Sequence, residues 1–162
     1  MEEKPERNLN MDYKFEVIET TVQPVLSVRT VTSVGNLPHE LGKAYNSIIA
    51  YLAEIGEQVA DAAFAAYYNM DMENLEVEMG FPVNKELAGK GEIIANQVPA
   101  GKKVTCMYKG AYKDMGPTYE AMTKWMNDNG HQPTGVVYEF YYNSPMEVPE
   151  SELLTKIMFL LK

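Results

Sequence analysis

Hydrophobic and polar positions alternate near the start of the chain with the two-residue period of a β-strand. Phe15–Glu19 alternates apolar and polar residues, and Val25–Val31 is a largely apolar run that begins directly after Pro24. A proline is tolerated at the start of a strand, where its missing N–H is not needed. The pattern therefore predicts two strands in this part of the chain.

The period then changes to that of an α-helix. Apolar side chains recur at steps of four, three, four and three, which places them on one helical face: Leu41, Tyr45, Ile48, Leu52 and Ile55. Gly56 follows the last of them and predicts the end of the helix. Two further runs predict strands, Ala62–Tyr68 and Leu75–Val83, separated by a polar turn.

The same order of elements recurs in the second half of the chain. Lys103–Lys109 predicts a strand, and a second helix ends at Gly130. The apolar stripe of this helix consists of Met115, Tyr119, Met122 and Met126. Val136–Tyr142 and Leu153–Leu161 predict the closing strands, with a turn at residues 143–145 between them.

A constant offset relates the two halves. A shift of 74 residues superimposes matching residues: Gly42 on Gly116, Tyr45 on Tyr119, Gly56 on Gly130, Tyr67 on Tyr141 and Tyr68 on Tyr142. In the last strand the offset is 78, which brings Phe81 onto Phe159. Two unrelated helices of similar length are the alternative explanation, but an offset that holds through helix, loop and strand favours a duplication.

The duplication predicts the architecture. We expect an α+β fold made by tandem duplication of a strand–helix–strand–strand unit, with an antiparallel sheet of about eight strands and two main helices. One domain would span residues 13–162, with half-repeats at approximately 13–98 and 99–162. Residues 1–12 are polar and are expected to form a disordered tail. The groove at the junction of the halves is the natural ligand site.

Composition narrows the possible functions. The net charge is −9 and Lys102-Lys103 is the longest basic run, so we expect no direct nucleic-acid binding. The acidic surface either confers solubility or favours cationic ligands. A single cysteine, Cys106, excludes an internal disulfide and suits a reducing compartment. With no signal peptide and no apolar run near the roughly 18 residues of a membrane span, we expect a cytoplasmic protein without a membrane partner.

Metal and cofactor chemistry is not predicted. His39 and His131 have no cysteine or carboxylate at ligand spacing, and the sequence Gly89-Lys90-Gly91-Glu92 lacks the spacing of a phosphate loop.

Glu139 is the main candidate for chemistry because it lies within an otherwise apolar and aromatic strand. On a strand, Val137, Glu139 and Tyr141 share one face. The offset pairs Glu139 with Ala65, so a carboxylate replaces an alanine at this point of the repeat. Three readings remain open: exposure at a sheet edge, a structural hydrogen bond to a backbone amide or a tyrosine, or contact with a ligand.

Aromatic residues are the candidate walls of such a site. Tyr67 and Tyr141 are repeat partners, Tyr112 precedes the second helix, and Trp125 flanks the face of that helix. Each is equally plausible as a core residue. Phe81 also belongs to this candidate set, although packing in the core is its simplest role.

Glu78 is a second strand carboxylate. It is either a solvent-facing residue of an alternating strand or another acidic group of the pocket.

Several short motifs together resemble the GyrI-like small-molecule-binding, or effector-binding, domain family. The resemblance covers roughly residues 13–162 and rests on the order and spacing of Pro24–Arg29, Leu41–Tyr45, Glu78–Val83, Pro99–Lys102, Lys109–Tyr112, Tyr119, Trp125, Tyr138–Tyr141, Ser144-Pro145 and Glu152–Ile157. The family fold is a tandem of two strand–helix–strand–strand units, in agreement with the repeat.

The resemblance implies binding of hydrophobic, aromatic or cationic small molecules in the groove between the repeats, for sensing, sequestration or toxin protection. Multidrug-sensing regulators of the MerR and AraC types use such domains, with a buried glutamate among aromatics at the position of Glu139. DNA gyrase or another protein is also a candidate partner, since stand-alone members are linked to gyrase modulation. The chain has no room for a helix-turn-helix domain, so the regulator role of longer relatives is not expected.

A hydrolase is the alternative function that the resemblance implies, because some stand-alone members hydrolyse cyclopropanoid genotoxins. Glu139 would orient or deprotonate water, and Tyr112 would donate a hydrogen bond to the developing oxyanion. The candidate ligand-binding residues are Glu139, Tyr141, Tyr67, Trp125, Tyr112 and Phe81.

Overall fold

A computed structural model describes residues 13–162; the tail predicted at residues 1–12 lies outside the described residues. The described part contains eight strands and two α-helices: β1 (Glu16–Thr20), β2 (Gln23–Thr32), α1 (Leu37–Ile55), β3 (Ala63–Tyr67), β4 (Leu75–Pro82), β5 (Ile94–Val98), β6 (Gly101–Lys109), α2 (Gly116–Asp128), β7 (Pro133–Tyr141) and β8 (Leu154–Leu161). The predicted α+β fold is confirmed. Within residues 13–162, neither helix is both long and apolar enough to cross a membrane.

All eight strands form one antiparallel sheet in the order β1-β6-β8-β7-β3-β4-β2-β5. At one edge of the sheet, β1 of the first half pairs with β6 of the second, and at the other edge β5, which ends the first half, pairs with β2. β3 and β7, which follow the two helices, pair with each other at the centre of the sheet.

The pairing register of β3 and β7 shows where the local two-fold axis of the repeat passes. Ala65 lies opposite Glu139, and Ala63 and Tyr67 lie opposite Tyr141 and Val137. The 74-residue offset carries residue 65 onto 139 and residue 67 onto 141. The Ala65–Glu139 pair is therefore its own counterpart, and the axis that relates the repeats passes through it.

The fifth strand, β5, was not predicted. Ile94–Val98 pairs with Gln23–Ser27 along the edge of the sheet, and most of its residues are exposed. An edge strand packed on one partner needs no clean apolar alternation, so the sequence Ile-Ala-Asn-Gln-Val carries no strong strand signal. Backbone pairing, rather than side-chain burial, defines this element.

Glycines end both helices as predicted. Gly56 caps α1 with a left-handed φ of 73°, and its N–H and that of the next residue bond back to the last helical turn. In the second half, α2 ends at Asp128, and Gly130 adopts a φ of 76° two residues later. Residues with a side chain rarely adopt this conformation.

Both helices pack on the same face of the sheet. Ile48 and Leu52 of α1 contact Leu26 of β2, while Met122 and Met126 of α2 contact Ile157 of β8. All of these side chains are buried. The two helical stripes therefore cover the two halves of the sheet, and the Ala65–Glu139 pair lies between them on the central strands.

The opposite face of the sheet carries a separate cluster that spans both halves. It consists of Val25, Phe64, Ala66, Val98, Tyr138, Phe140, Met158 and Leu160. This cluster joins the repeats below the sheet, while the helices hold them above it.

Candidate ligand-binding site

Glu139 lies near the middle of the sheet rather than at an edge. Its strand, β7, is flanked by β3 and β8, and its side chain shares the helix-covered face with Val137 and Tyr141. Glu139 is partly buried. The first of the three readings, an exposed carboxylate at a sheet edge, is therefore wrong.

Two tyrosines donate hydrogen bonds to this carboxylate. Tyr119 of α2 donates to Oε2, and Tyr141, two residues along the same strand, donates to Oε1 at 2.7 Å. The second reading, a hydrogen bond to a tyrosine, thus describes the structure. It does not exclude a ligand, because a carboxylate has about four acceptor positions and only two are used here.

Tyr67 extends this network across the two-fold axis. Its hydroxyl oxygen lies 3.2 Å from that of Tyr141. Since Tyr141 gives its only hydroxyl proton to Glu139, it can only accept from Tyr67. The hydrogen bonds therefore run from Tyr67 to Tyr141 to Glu139, and from Tyr119 to Glu139.

Two more tyrosines complete the cluster. Tyr45 of α1 donates to the backbone oxygen of Phe64 at 2.7 Å. Tyr112, in a 3-10 turn before α2, packs edge-on against the ring of Tyr141 with 5.7 Å between the centroids. Its side chain is 41% exposed, and its hydroxyl has no hydrogen bond within residues 13–162. Tyr112 therefore forms the solvent-facing rim of the cluster.

The environment shifts the protonation equilibria of these groups. Burial raises the pKa of Glu139 above its usual range, and the hydrogen bonds from Tyr119 and Tyr141 oppose this shift. Burial and the nearby carboxylate also raise the pKa of Tyr67, Tyr119 and Tyr141. The tyrosines are therefore neutral hydrogen-bond donors at neutral pH, and Glu139 is the group that changes charge.

No positive charge balances this carboxylate inside the described region. The salt bridges among residues 13–162 lie on exposed or half-buried side chains and do not include Glu139. An aromatic enclosure with a single acidic group, in which tyrosine hydroxyl protons are directed at that carboxylate, offers a negative potential and π-faces to a ligand. Such a site suits a lipophilic cation.

The structure brings together four of the residues that the sequence singled out. Glu139, Tyr141, Tyr67 and Tyr112 form one connected cluster. Phe81 reaches this cluster through Tyr45, whose ring it meets edge-on with 5.3 Å between the centroids.

Trp125 is engaged elsewhere. Its ring stacks on His131 at 5.5 Å and lies 5.6 Å from that of Phe15, and it packs against the core cluster between α2 and the sheet. A role in ligand binding remains a prediction for this residue.

Tyr45 and Tyr119 were missed as site residues. Both belong to the predicted apolar stripes of the helices, and the stripes gave no sign that either side chain meets a polar group. The signal was present in the repeat, because the same offset relates this tyrosine pair and the pair Tyr67 and Tyr141. A tyrosine on a buried helical stripe also needs a partner for its hydroxyl.

Both predictions for Glu78 are wrong. It is 1% exposed, and it lies on the opposite face of the sheet from Glu139 because it pairs with Ala66 rather than Ala65. Ser27, Tyr68 and Asn96 donate to it at 2.5, 2.6 and 2.8 Å. Burial and this carboxylate raise the pKa of Tyr68 to about 12. Three neutral donors satisfy Glu78, which gives it a structural role.

An open groove of about 860 Å³ lies beside α1, and its lining includes neither Glu139 nor any of the five tyrosines of the cluster. It is lined by charged side chains of both signs, including Arg29, Lys43, Glu40 and Glu54. Water and salt screen exposed charges, so these side chains attract a charged ligand only weakly. No three His, Cys, Asp or Glu side chains in residues 13–162 converge as metal ligands.

Comparison with known proteins gives a consistent family and fold. A family model described as the GyrI-like small molecule binding domain matches residues 13–162. No curated protein matches the chain.

Three solved structures are similar to it. A cryo-EM structure of an EcmrR–DNA complex superimposes with a TM-score of 0.82 at 23% identity, covering 97% of this chain. This chain spans 60% of the length of that protein chain. A hydrolase from Listeria innocua matches with a TM-score of 0.69 at 15% identity, covering 92% of each chain.

The third is SAV2435 bound to tetraphenylphosphonium, with a TM-score of 0.68 at 9% identity. The superposition covers 92% of this chain and 94% of the SAV2435 chain. At these identities the superpositions establish a shared fold.

Proposed function

Because the chain belongs to the family of GyrI-like small molecule binding domains, we propose that Glu139 and its tyrosines bind hydrophobic, aromatic or cationic small molecules. The site lies on the axis between the repeats. Its cellular purpose would be sensing, sequestration or toxin protection, in the cytoplasm.

One observation carries this proposal: the hydroxyl protons of Tyr67, Tyr119 and Tyr141 all point along hydrogen bonds that end at one carboxylate. These tyrosines therefore turn their protons away from a ligand. What a ligand meets is a negative charge, hydroxyl lone pairs and aromatic faces. Lipophilic cations bind such surroundings through Coulomb attraction and cation–π contacts.

The solvent exposure of Glu139 and Tyr112 indicates how a ligand would reach the carboxylate. Glu139 is partly buried, and Tyr112 forms the solvent-facing rim next to Tyr141. A small rotation of the Tyr112 ring would widen the approach to the carboxylate without moving a strand. Tyr112 would then close over a bound aromatic ligand.

Structural neighbours support a cationic ligand of this kind. SAV2435, which shares the fold, is bound to tetraphenylphosphonium. EcmrR, also of this fold, is found in a complex with DNA. The second case supports sensing as a purpose for the domain, although direct DNA binding by this acidic chain is not proposed.

A matched pair of probes tests the proposal. Tetraphenylphosphonium and tetraphenylborate have almost the same shape and opposite charge. We expect calorimetric titration to detect the cation and to give at least about tenfold weaker binding of the anion, since about 1.4 kcal/mol of charge discrimination is enough for that ratio. Equal binding of the two probes would show that apolar contact alone drives association.

The variant Glu139→Gln isolates the carboxylate. It should weaken binding of tetraphenylphosphonium by at least about tenfold, because one buried charge interaction is worth 1.4 kcal/mol or more. Glu76→Gln removes the same charge from an exposed position of β4 and should leave the affinity unchanged. Unchanged binding in Glu139→Gln would refute the role of Glu139.

A hydrolase is the second candidate, and Tyr112 favours it. Among the five tyrosines of the cluster, only Tyr112 lacks a hydrogen bond for its hydroxyl within the described residues. It therefore has a proton to offer to a substrate oxygen. Glu139, with its raised pKa, is suited to accept a proton from water.

The reaction would add one water molecule to a cyclopropane conjugated to a carbonyl group. Glu139 takes a proton from water as the water oxygen bonds to a ring carbon. The ring C–C bond breaks, its electron pair forms an enolate, and Tyr112 donates a hydrogen bond to the enolate oxygen. The proton then returns from Glu139 to the α-carbon.

Turnover separates the two functions. A hydrolase should convert an excess of a cyclopropanoid to the ring-opened product, and Glu139→Gln should reduce the rate by at least about 10²-fold, as expected for loss of a general base. Tyr112→Phe should also slow the reaction, whereas Tyr142→Phe, on the opposite strand face, should not. Binding of the cyclopropanoid without formation of the ring-opened product would refute the hydrolase function and would be consistent with the binding function.

A further inference from the structure

The two-fold axis relates three positions around Glu139 to three positions in the first repeat. The offset pairs Tyr45 with Tyr119, Tyr67 with Tyr141 and Ala65 with Glu139. Each set contains a helical tyrosine, a strand tyrosine and the central residue between them. Only the central residue differs in chemistry between the sets.

The packing of the helical tyrosines confirms that the two sets are equivalent in space. Tyr45 meets Phe81 edge-on at 5.3 Å and 61°, and Tyr119 meets Phe159 edge-on at 5.6 Å and 61°. Phe81 and Phe159 are repeat partners in β4 and β8. The same aromatic contact therefore holds both tyrosines over the central strands.

The hydroxyl of Tyr45 shows what the first repeat lacks. Tyr119 donates to the carboxylate of Glu139, whereas Tyr45 donates to the backbone oxygen of Phe64, the residue before Ala65. Ala65 offers no side-chain acceptor, so Tyr45 uses the adjacent backbone instead. Tyr67, for the same reason, reaches across the axis to Tyr141.

We propose that Ala65 is a specificity-determining residue of this site. Tyr45 and Tyr67 are placed to receive a carboxylate as Tyr119 and Tyr141 do, and we call this pair the second cradle. Because residue 65 is an alanine, the second cradle holds no carboxylate and the site is restricted to ligands with one positive charge. This inference rests on the proposed binding function. It assigns charge selectivity to a residue that makes no polar contact of its own.

The register explains why only one carboxylate is present. Ala65 and Glu139 lie directly opposite each other, and side chains at such positions have Cβ atoms about 4.5–5.5 Å apart. Two carboxylates at this distance repel each other and need a ligand with two positive charges, or a proton, to balance them. One carboxylate matches one cationic centre.

Moving the carboxylate across the axis tests the second cradle. The double variant A65E/E139A should fold, because Tyr45 and Tyr67 receive the carboxylate as Tyr119 and Tyr141 do in the native protein. It should bind tetraphenylphosphonium within about tenfold of the native affinity. The matched variant A65Q/E139A has the same shape without the charge and should bind at least about tenfold more weakly than A65E/E139A.

The single variant A65E tests charge selectivity. The probes are tetraphenylphosphonium and a dication with two triphenylphosphonium groups on a short alkyl linker. A65E should change the ratio of the two affinities by at least about tenfold in favour of the dication. Failure of A65E to fold while A65E/E139A folds would also support the argument, since it would show that the axis accommodates one carboxylate only.

The outcomes distinguish this inference from the function on which it rests. If Glu139→Gln binds tetraphenylphosphonium like the native protein, the binding function itself fails. If Glu139→Gln loses binding and A65E/E139A either unfolds or does not regain it, only the second cradle is refuted. An unchanged affinity ratio in a folded A65E variant would refute the role of Ala65 in selectivity.

Discussion

Two carboxylates on the strands that flank β3, Glu78 of β4 and Glu139 of β7, are satisfied in different ways. Glu78 is almost fully buried and accepts hydrogen bonds from a hydroxyl, a phenol and an amide. Glu139 accepts from two phenols only and stays partly accessible. A saturated carboxylate stabilises the fold, while one with free acceptor positions can still bind a ligand.

The raised pKa of Glu139 predicts a pH-dependent stability. Between the usual value of 4.5 and the raised value in the folded protein, the folded state holds a proton that the unfolded state lacks. The free energy of unfolding therefore falls as the pH rises through this interval. Glu139→Gln lacks this titration, so its stability relative to the native protein should rise with pH from about 4.5 and then level off.

Urea denaturation at a series of pH values measures this difference. The groups that face the carboxylate are tyrosines with raised pKa values, so they do not titrate in the same interval. A difference between the variant and the native protein that stays constant with pH would contradict the prediction.

Thr155 provides a test of an unpaired polar group beside the same cluster. It is fully buried opposite Tyr141, and its hydroxyl has no hydrogen-bond partner within residues 13–162. Its repeat partner at the offset of 78 is Val77. Thr155→Val should raise the free energy of unfolding by about 1 kcal/mol, because the buried hydroxyl loses its solvation without compensation.

Thr118→Val is the matched control. Thr118 is equally buried, but its hydroxyl donates to Tyr13 at 2.9 Å. The same substitution should therefore lower the free energy of unfolding by about 1 kcal/mol. Equal effects of the two substitutions in chemical denaturation would argue that the hydroxyl of Thr155 is paired.

At the scale of elements, the helices contribute to the site through the direction in which their apolar stripes face. The stripe of α1 buries Ile48 and Leu52 over one half of the sheet and brings Tyr45 towards the central strands. The stripe of α2 does the same with Tyr119.

Gly42 within α1 and Gly56 at its C-terminal cap should respond in opposite directions to the same substitution. Gly56 has a φ of 73°, which strains an alanine, so Gly56→Ala should lower the free energy of unfolding by about 1 kcal/mol. Gly42 lies within the helix, with nothing within 4 Å of an added Cβ, so Gly42→Ala should raise it by about 0.5–1 kcal/mol. Thermal unfolding measures both effects, and a stabilised Gly56→Ala variant would contradict the capping role.

At the scale of the whole molecule, the repeat made the fold predictable. The 74-residue offset could be recognised from glycines and aromatic residues in the sequence, and it predicted the order of the main strands and helices. β5 was not predicted because an exposed edge strand such as Ile94–Val98 has little apolar alternation. The pairing of the edge strands β1 and β5 depends on backbone hydrogen bonds, which no pattern of side chains in the sequence reveals.

The candidate site was only partly predictable for a related reason. A lone carboxylate among apolar residues is conspicuous, so Glu139 and its strand neighbour Tyr141 could be singled out from the sequence. Helical period alone does not separate Tyr45 and Tyr119 from core residues, since it does not show which buried side chain meets a polar group. Only the repeat offset marked them as a pair. The solvent-facing pattern suggested for Glu78 failed because both faces of the sheet are covered.

A crystal structure of the protein with tetraphenylphosphonium tests the central claim most directly. We predict that the phosphonium centre lies next to the carboxylate of Glu139, with phenyl rings against Tyr67, Tyr112 and Tyr141. A ligand in the charged groove beside α1, with the tyrosine network unchanged, would contradict the account.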